Sequence, residues 1–166
     1  MSKVRQPTPP SVGSATVSAY YSAESYAIDN SYGYLMRRVQ ASLLRHIDKR
    51  FSPYELTALQ WGPLLLLSQG KGNTAASLAR ALDMDTGAMT RMLDRLQAKK
   101  LLRRTRSEHD RRLQLLELTG EGERIVAQIP QVIADVLNLH LRGFTHVETR
   151  QLVGFLRRLL DNGNGE

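Results

Sequence analysis

Residues 73–119 decide the fold, and they read NTAASLARALDMDTGAMTRMLDRLQAKKLLRRTRSEHDRRLQLLELT. Apolar residues in the first half recur at steps of three and four, which predicts two short helices joined by a turn at residues 83–85. The second half changes to two short strand-like stretches, residues 101–106 and 112–118, separated by a polar tip. This order predicts a helix-turn-helix followed by a β-hairpin, which is the layout of a winged helix-turn-helix.

The predicted helix pair meets the steric needs of a helix-turn-helix. Thr74 is placed to cap the first helix. Ala79 is small enough for close contact between the two helices, and Met89 supplies an apolar anchor in the second. Asp83 occupies the turn position where glycine is usual, and aspartate enters the left-handed backbone region more readily than most residues do.

The same stretch carries most of the excess positive charge. The 166-residue chain has a formal net charge of +7. Eleven basic and five acidic residues lie between Lys71 and Leu116, so this segment holds six of those seven charges. Neutralising each phosphate of a nucleic acid releases a condensed counterion. A uniformly basic protein that binds nothing acidic would spread its charge, so the clustering predicts a nucleic acid as the partner. Together with the winged helix-turn-helix layout, it predicts double-stranded DNA.

The second helix of the pair is predicted to read bases. Its apolar stripe should face the core, and the N-terminal residues of the opposite face reach base edges in a major groove. Arg91 is assigned to guanine through bidentate hydrogen bonds. The small side chains of Thr86, Ala88 and Thr90 suit thymine methyls or phosphates. Alone, this face would be an ordinary solvated helix surface, but the adjoining hairpin favours DNA. The predicted major-groove residues are Thr86, Gly87, Ala88, Thr90, Arg91 and Arg95.

The tip of the hairpin is predicted to enter a minor groove. Asp110 stands two residues before Arg112 and can hold its guanidinium extended by a charge-assisted hydrogen bond. A stiffened arginine suits a narrow minor groove with its negative potential. The predicted wing contacts are Asp110, Arg111 and Arg112, with Arg112 favoured for the groove. The predicted phosphate contacts are Thr74, Lys99, Arg103, Arg104 and Arg106.

The flanking segments are expected to be helical after a Ser-, Thr- and Pro-rich arm. A first helix is predicted from about Asn30 to about Arg50. The fold class is therefore mainly α with a small β-hairpin. The predicted organisation is a disordered or extended arm at 1–27, a first dimerisation helix and loop at 28–56, a winged helix-turn-helix at 57–119, and C-terminal dimerisation helices at 120–166.

Capping signals and prolines predict the remaining helix boundaries. Thr57 and Gln60 form the pattern of a capping box, which predicts a helix beginning at Thr57. Pro63 lies inside that predicted helix and should kink it. Another helix is predicted from residue 120 to residue 140, and Pro130 should bend it.

The terminal helices are predicted to form a homodimer. Thr145 and Glu148 form a second capping box, which starts an apolar last helix. The terminal helices carry more apolar surface than a small winged-helix core can bury. Alternatively, they could simply cover their own domain. A two-fold dimer would bury the surplus surface and present two DNA-reading units.

Composition excludes several other functions. The chain has no cysteine, which excludes thiolate catalysis, cysteine redox sensing and Cys-ligated zinc, and fits a cytoplasmic protein. No apolar run approaches the roughly 18–20 residues that span a bilayer, so no membrane partner is expected. Residues 108–110 read EHD, but adjacent side chains on a hairpin cannot converge on one ion, so neither a metal nor a cofactor is predicted. No glycine-rich phosphate loop or nucleophile motif indicates an enzyme.

Several motifs together resemble the MarR family of bacterial transcriptional regulators. They are ASLARAL at 76–82, MTRMLDRL at 89–96, DRR at 110–112 and LTGEG at 118–122. The resemblance extends from about Tyr32 to about Leu160. Asp83 and Lys100 stand where the family usually has glycine, which leaves the shape of those turns open.

The resemblance implies a triangular homodimer whose two winged helices grip a pseudo-palindrome. It also implies a crevice between the dimerisation and DNA-binding regions, where small aromatic acids or phenols bind and release DNA. The candidate effector residues, each also suited to the core or to a solvated face, are Tyr32, Arg38, His46, Trp61 and Leu65. The expected function is that of a ligand-responsive repressor. The alternative is a sequence-tolerant architectural DNA-binding protein without ligand control.

Overall fold

The computed structural model describes residues 19–106 and 113–164. It is mainly helical with one two-stranded antiparallel sheet, as predicted. The chain divides into two compact units at Arg37 and Arg38, inside the first helix. The elements are α1 (Tyr32–Phe51), α2 (Trp61–Ser68), α3 (Ala75–Ala81), α4 (Thr86–Ala98), β1 (Leu102–Arg106), β2 (Gln114–Leu118), α5 (Gly120–Val126), α6 (Ile129–His140) and α7 (His146–Gly163), with short 3-10 turns at Ile28–Asn30 and Ser52–Tyr54.

The first unit contains a small tyrosine cluster at the start of α1. The Tyr21 hydroxyl donates to the carbonyl oxygen of Asn30 (3.2 Å) and accepts from the backbone N–H of Tyr32 (3.0 Å). The centroid of the Tyr21 ring also lies 5.0 Å from that of Tyr20 and 6.1 Å from that of Tyr26. These contacts occupy the end of the predicted N-terminal arm, whose first 18 residues lie outside the described residues.

The second unit has one hydrophobic core with α2 at its centre. Gly62, Pro63 and Leu64 of α2 are all buried, because this helix is apolar around its circumference. The predicted inner stripe of α4 also lies in this core, with Met89, Leu93 and Leu96 at 0% exposure. Further core residues are Phe51, Leu78, Leu101, Leu102, Leu116, Ile129 and Val136.

Both turns that follow the helices of the motif keep left-handed geometry without glycine. Asp83 after α3 has φ 49° and Lys100 after α4 has φ 60°. At the second turn, the N–H of Lys100 donates to Gln97 O (2.8 Å) and the N–H of Leu101 donates to Leu96 O (3.0 Å). This pair of bonds defines a Schellman motif, in which glycine is favoured at the left-handed position. Lysine therefore keeps the turn while bearing a steric cost of about 1–2 kcal/mol.

The hairpin is joined to the helices on both sides. Leu102 pairs with Leu118 and Arg106 pairs with Gln114 at the two ends of the register. The N–H of Leu116 donates to Asn73 O (2.8 Å), which ties β2 to the loop before α3. Residues 107–112, which include the predicted wing tip, lie outside the described residues.

Three sequence-based boundary predictions are wrong. The helix expected at Thr57 begins at Trp61, because residues 58–60 form a turn in which the Gln60 N–H donates to Thr57 O. Pro63 is therefore in the first turn of α2, where an amide has no helical acceptor to lose, and the expected internal kink has no place. The helix expected over residues 120–140 is two helices separated by a turn at residues 127–128, and Pro130 lies in the first turn of α6, where its missing N–H costs no helical hydrogen bond.

The last helix is well capped but has no buried residue. The Thr145 side chain accepts from the Glu148 N–H, and the Glu148 carboxylate accepts from the Thr145 N–H (2.7 Å), as the capping box predicts. The pKa of Glu148 is lowered by this backbone hydrogen bond and by a second one from the Thr145 hydroxyl. The exposed apolar residues of α7 are Val147, Leu152, Val153, Phe155, Leu159 and Leu160.

No helix within residues 19–106 and 113–164 is long and apolar enough to cross a membrane.

Candidate nucleic-acid interface

One face of α4 presents the predicted base-reading residues together. Asp85 caps the helix by accepting the N–H of Ala88 (2.9 Å), which fixes its N-terminal turn. The Thr90 hydroxyl donates to Thr86 O (2.8 Å), so its oxygen retains acceptor capacity towards solvent. Ala88 is half-buried, and the exposed members of the predicted set are Thr86, Gly87, Thr90, Arg91 and Arg95.

Arg91 lies over Gly87 at the N-terminal end of α4. A Cβ atom built on Gly87 would be 3.5 Å from Arg91 Nη1 and 3.1 Å from Asp85 Oδ1. The Arg91 guanidinium would be in ordinary contact with the added atom, whereas the Asp85 carboxylate would have to shift by a few tenths of an ångström. Among the residues that the structure describes, neither Arg91 nor Arg95 has a carboxylate within ion-pair distance. Their charges are therefore not neutralised by an ion pair there.

The hairpin arginines Arg103 and Arg104 have partners within the chain. Arg103 Nη2 lies 2.7 Å from the Glu117 carboxylate, its cross-strand neighbour, and Thr105 Oγ1 donates to the same carboxylate (3.2 Å). The hydrogen bond from Arg103 is the main cause of the lowered pKa of Glu117. On the other face of β1, the Arg104 side chain is 23% exposed, and its Nη2 atom lies 2.7 Å from Asp94 Oδ1 of α4.

Two more predicted phosphate contacts are also engaged inside the chain. The Thr74 hydroxyl forms the capping box of α3 with Ser77, accepting from its N–H (3.1 Å). Lys99 at the end of α4 donates to Gln60 Oε1 (3.1 Å) and to Glu55 O. Arg106 is exposed at the end of β1. The roles assigned to Asp110, Arg111 and Arg112 fall outside the described residues.

These internal partners were missed by sequence reasoning for two different reasons. Arg103 and Glu117 face each other once the hairpin register is drawn, so strand pairing could have revealed their contact. The Arg104–Asp94 ion pair and the Lys99–Gln60 hydrogen bond join separate elements. Their formation depends on how those elements pack, which no local sequence pattern encodes.

A cavity of about 410 Å³ lies between α1 and α6. His140 Nε2 lies 3.1 Å from Ser42 Oγ, and its ring packs edge-on against the His46 ring with centroids 5.1 Å apart. The cavity offers two guanidinium groups, an imidazole and a hydroxyl to a ligand. Its lining residues are Arg38, Val39, Ala41, Ser42, Arg45 and His140.

Four of the five candidate effector residues lie in the second unit, and they do not all line this cavity. Arg38 lines the cavity between α1 and α6. The His46 ring contacts the ring of His140, another lining residue of that cavity. Trp61 and Leu65 instead pack against the hydrophobic core. Tyr32 belongs to the first unit, where its N–H donates to the Tyr21 hydroxyl. The described part of the chain contains no group of three His, Asp or Glu side chains that could hold a metal ion.

Comparison with known proteins relates most of the winged region to one family. The family model described as "MarR family" matches residues 54–113. The Multiple antibiotic resistance protein MarR of Escherichia coli (strain K12) is 32% identical over 129 residues, which cover 77% of this chain and 90% of that protein. A crystal structure of a mutant E. coli MarR complexed with operator DNA has a TM-score of 0.72 at 31% identity, covering 77% of this chain and 92% of that one.

A further structure shares the fold at low identity. CouR from Rhodococcus jostii RHA1, bound to p-coumaroyl-CoA, has a TM-score of 0.70 at 20% identity and covers 81% of this chain and 95% of that one. The winged helix-turn-helix predicted from residues 73–119 is confirmed by these structural similarities.

Proposed function

The chain belongs to the MarR family of DNA-binding transcriptional regulators, and on that premise we propose that it is a homodimeric repressor of a pseudo-palindromic operator. The observation that carries this proposal is the capped, exposed N-terminal face of α4, where Arg91 lies over Gly87. A small aromatic effector would release the protein from DNA. The protein would act in the cytoplasm and not as an enzyme.

We assign sequence recognition to α4. Arg91 would bond to guanine O6 and N7 in the major groove, where a bidentate contact is worth about 1–3 kcal/mol of discrimination. Thr86, Ala88 and Thr90 would contact thymine methyls or phosphates, Gly87 would allow close approach, and Arg95 would flank them. Arg112 would enter the minor groove, with Asp110 and Arg111 beside it at the wing tip.

Phosphate contacts would come from both the helices and the hairpin. Arg106 has the most direct support as a phosphate contact, because it is exposed and has no ion pair with a described residue. Arg103 could add a phosphate oxygen to its present partner, since a guanidinium has five N–H donors. The Thr74 hydroxyl donates its one hydrogen to Ser77 Oγ (3.0 Å), so it would have to leave that bond to donate to a phosphate. Arg104 and Lys99 make contacts that join separate elements, so we assign them chiefly to positioning.

A second copy of the chain would cover the exposed side of α7. Phe155 is 54% exposed and Leu160 is 64% exposed, in a helix without a buried residue. A contiguous apolar face of this kind is favourable to bury, and a two-fold dimer is the commonest way to do so. The same dimer would place two copies of α4 on two half-sites.

The effector site is proposed at the cavity between α1 and α6. Arg38 and Arg45 provide the charge that a carboxylate would need, and Ser42 and His140 provide further hydrogen-bonding side chains. The ligand-bound structure of CouR supports a small-molecule input on this fold. A screen of aromatic acids by thermal shift, followed by DNA release, would test it, because a ligand that binds the folded state raises the melting temperature.

The decisive experiment for the DNA-binding function compares specific with scrambled sites. An operator would be selected from random duplexes and then tested with each half-site scrambled in turn. A regulator of this type should lose about 10³-fold or more in affinity for fully scrambled DNA. An architectural DNA-binding protein would lose little, and that outcome would reject the proposal.

A further inference from the structure

Lys99 joins the end of α4 to the connection between α1 and α2. It is the C-cap residue of α4, and its ammonium group donates to Gln60 Oε1 (3.1 Å) and to Glu55 O. These partners precede Lys99 by 39 and 44 positions in the chain. The contact therefore connects two elements that are distant in sequence.

Both acceptors are held in place by the connection itself. Gln60 is 4% exposed, and its Oε1 atom also accepts the N–H of Thr57 (3.1 Å). Glu55 adopts a left-handed conformation with φ 55°, and its N–H donates to Ser52 O (3.0 Å). Both acceptors are therefore held by contacts within the connection and do not depend on Lys99 alone for their position.

The chemistry of the contact favours an internal role for this charge. Lys99 is half-buried and its ammonium uses two of three N–H donors on neutral oxygens within the chain. Its positive charge also lies at the C-terminal end of α4, where the helix dipole favours a cation. One N–H of the ammonium group is left for a phosphate, so the two roles are separated by the test below.

We propose that Lys99 is a positioning residue, which fixes the C-terminal end of α4 to the turn after α1 and so sets the orientation of the base-reading face. This inference rests on the function proposed for α4. Arg91 lies eight residues before Lys99, about 12 Å along the helix axis. A tilt of roughly 5° at the fixed end would move the Arg91 position by about 1 Å, which is enough to disturb directional hydrogen bonds to a base.

The test measures DNA affinity as a function of salt, on the selected operator and on scrambled DNA. Lys99→Met removes the charge, whereas Gln60→Met removes the acceptor and leaves the charge in place. Both variants should lower the operator-to-scrambled affinity ratio by about tenfold. The slope of log affinity against log salt should stay unchanged in Gln60→Met and close to unchanged in Lys99→Met. The double variant should lose little more than either single one, because both remove one shared contact.

The opposite pattern would overturn the inference. If Lys99 is a phosphate contact, Lys99→Met lowers affinity equally on both DNAs and reduces the salt slope by about one, while Gln60→Met has no effect. Lys71→Met, at an exposed position before α3, is the charge-matched control and should leave the affinity ratio unchanged. Circular dichroism melting of each variant identifies a general loss of folding. If a variant melts early, the operator-to-scrambled affinity ratio is measured at a lower temperature, where both variants are folded.

The outcome also separates this inference from the function on which it rests. A parent protein that does not distinguish the operator from scrambled DNA refutes the proposed regulator. A parent protein that distinguishes them, together with Lys99→Met and Gln60→Met variants that do so equally well, refutes only the positioning role.

Discussion

Replacing Gly122 with alanine would force a Cβ atom into the backbone that joins α4 to β1. The added atom would overlap the carbonyl oxygen of Leu101 and would lie 3.0 Å from its carbonyl carbon. It would also lie 3.3 Å from Leu118 Cδ2. Leu101 cannot simply move away, because its carbonyl accepts the N–H of Thr119 (3.1 Å), and the Thr119 hydroxyl donates to Lys100 O (2.6 Å).

The cost follows from the atoms that must move. Overpacking a close-packed site costs about 1–3 kcal/mol, and a clash with backbone belongs at the upper end of that range. Displacing α5 would also weaken the Thr119 hydrogen bonds, each worth about 1 kcal/mol. We therefore expect Gly122→Ala to lower the free energy of unfolding by about 3–4 kcal/mol, equivalent to roughly 10 °C in melting temperature.

Gly120→Ala is the matched control in the same helix. A Cβ atom at Gly120 would have no neighbour within 4 Å. Its substitution should change stability by less than about 1 kcal/mol, in the stabilising direction. Urea unfolding followed by circular dichroism and by Trp61 fluorescence would measure both variants. If Gly122→Ala unfolds within about 0.5 kcal/mol of Gly120→Ala, the close packing of α5 on Leu101 is refuted.

Three further predictions concern the turn after α4, the last helix and the dimer. Lys100→Gly should raise the free energy of unfolding by about 0.5–1 kcal/mol, because glycine relieves the left-handed strain; an unchanged urea midpoint would contradict this. The lowered pKa of Glu148 contributes stability above its unfolded pKa that is lost as pH falls through the folded pKa. Glu148→Gln should therefore destabilise the protein at neutral pH and converge with the parent in acid, and a constant difference across pH would oppose this explanation. Phe155→Ser with Leu160→Ser should shift the sedimentation coefficient to that of a monomer, whereas an intact dimer would place the interface elsewhere.

Helix caps and the inner face of α4 could be predicted because their signals are local. Thr74, Asp85 and Thr145 each accept a backbone N–H three residues later, as their sequence spacing indicates. The buried stripe of α4 follows from the helical period alone. By contrast, the Thr57 N–H donates to Gln60 Oε1 (3.1 Å) as in a capping box, but residues 58–60 form a turn and the helix begins only at Trp61.

The exposed face of the candidate site could also be predicted, but its internal supports could not. Once Met89 and Leu93 are inside, the opposite side of α4 is fixed by geometry. The partners of Arg104 and Lys99 depend on the packing of α4 against β1 and against the α1–α2 connection. A basic residue next to a DNA-reading helix can bind a phosphate or hold the helix in position. The sequence does not distinguish these two roles, whereas the tertiary structure shows which partners the residue contacts.

The most direct test of the central claim is a base-substitution scan of the selected operator with the parent protein and Arg91→Ala. We expect Arg91→Ala to abolish the preference for one base pair in each half-site, a loss of about 1–3 kcal/mol of discrimination there. Preferences at the other positions should remain, and the two affected positions should be related by the two-fold axis of the operator. A uniform loss of affinity across all substitutions, with every preference retained, would contradict base recognition by this face of α4.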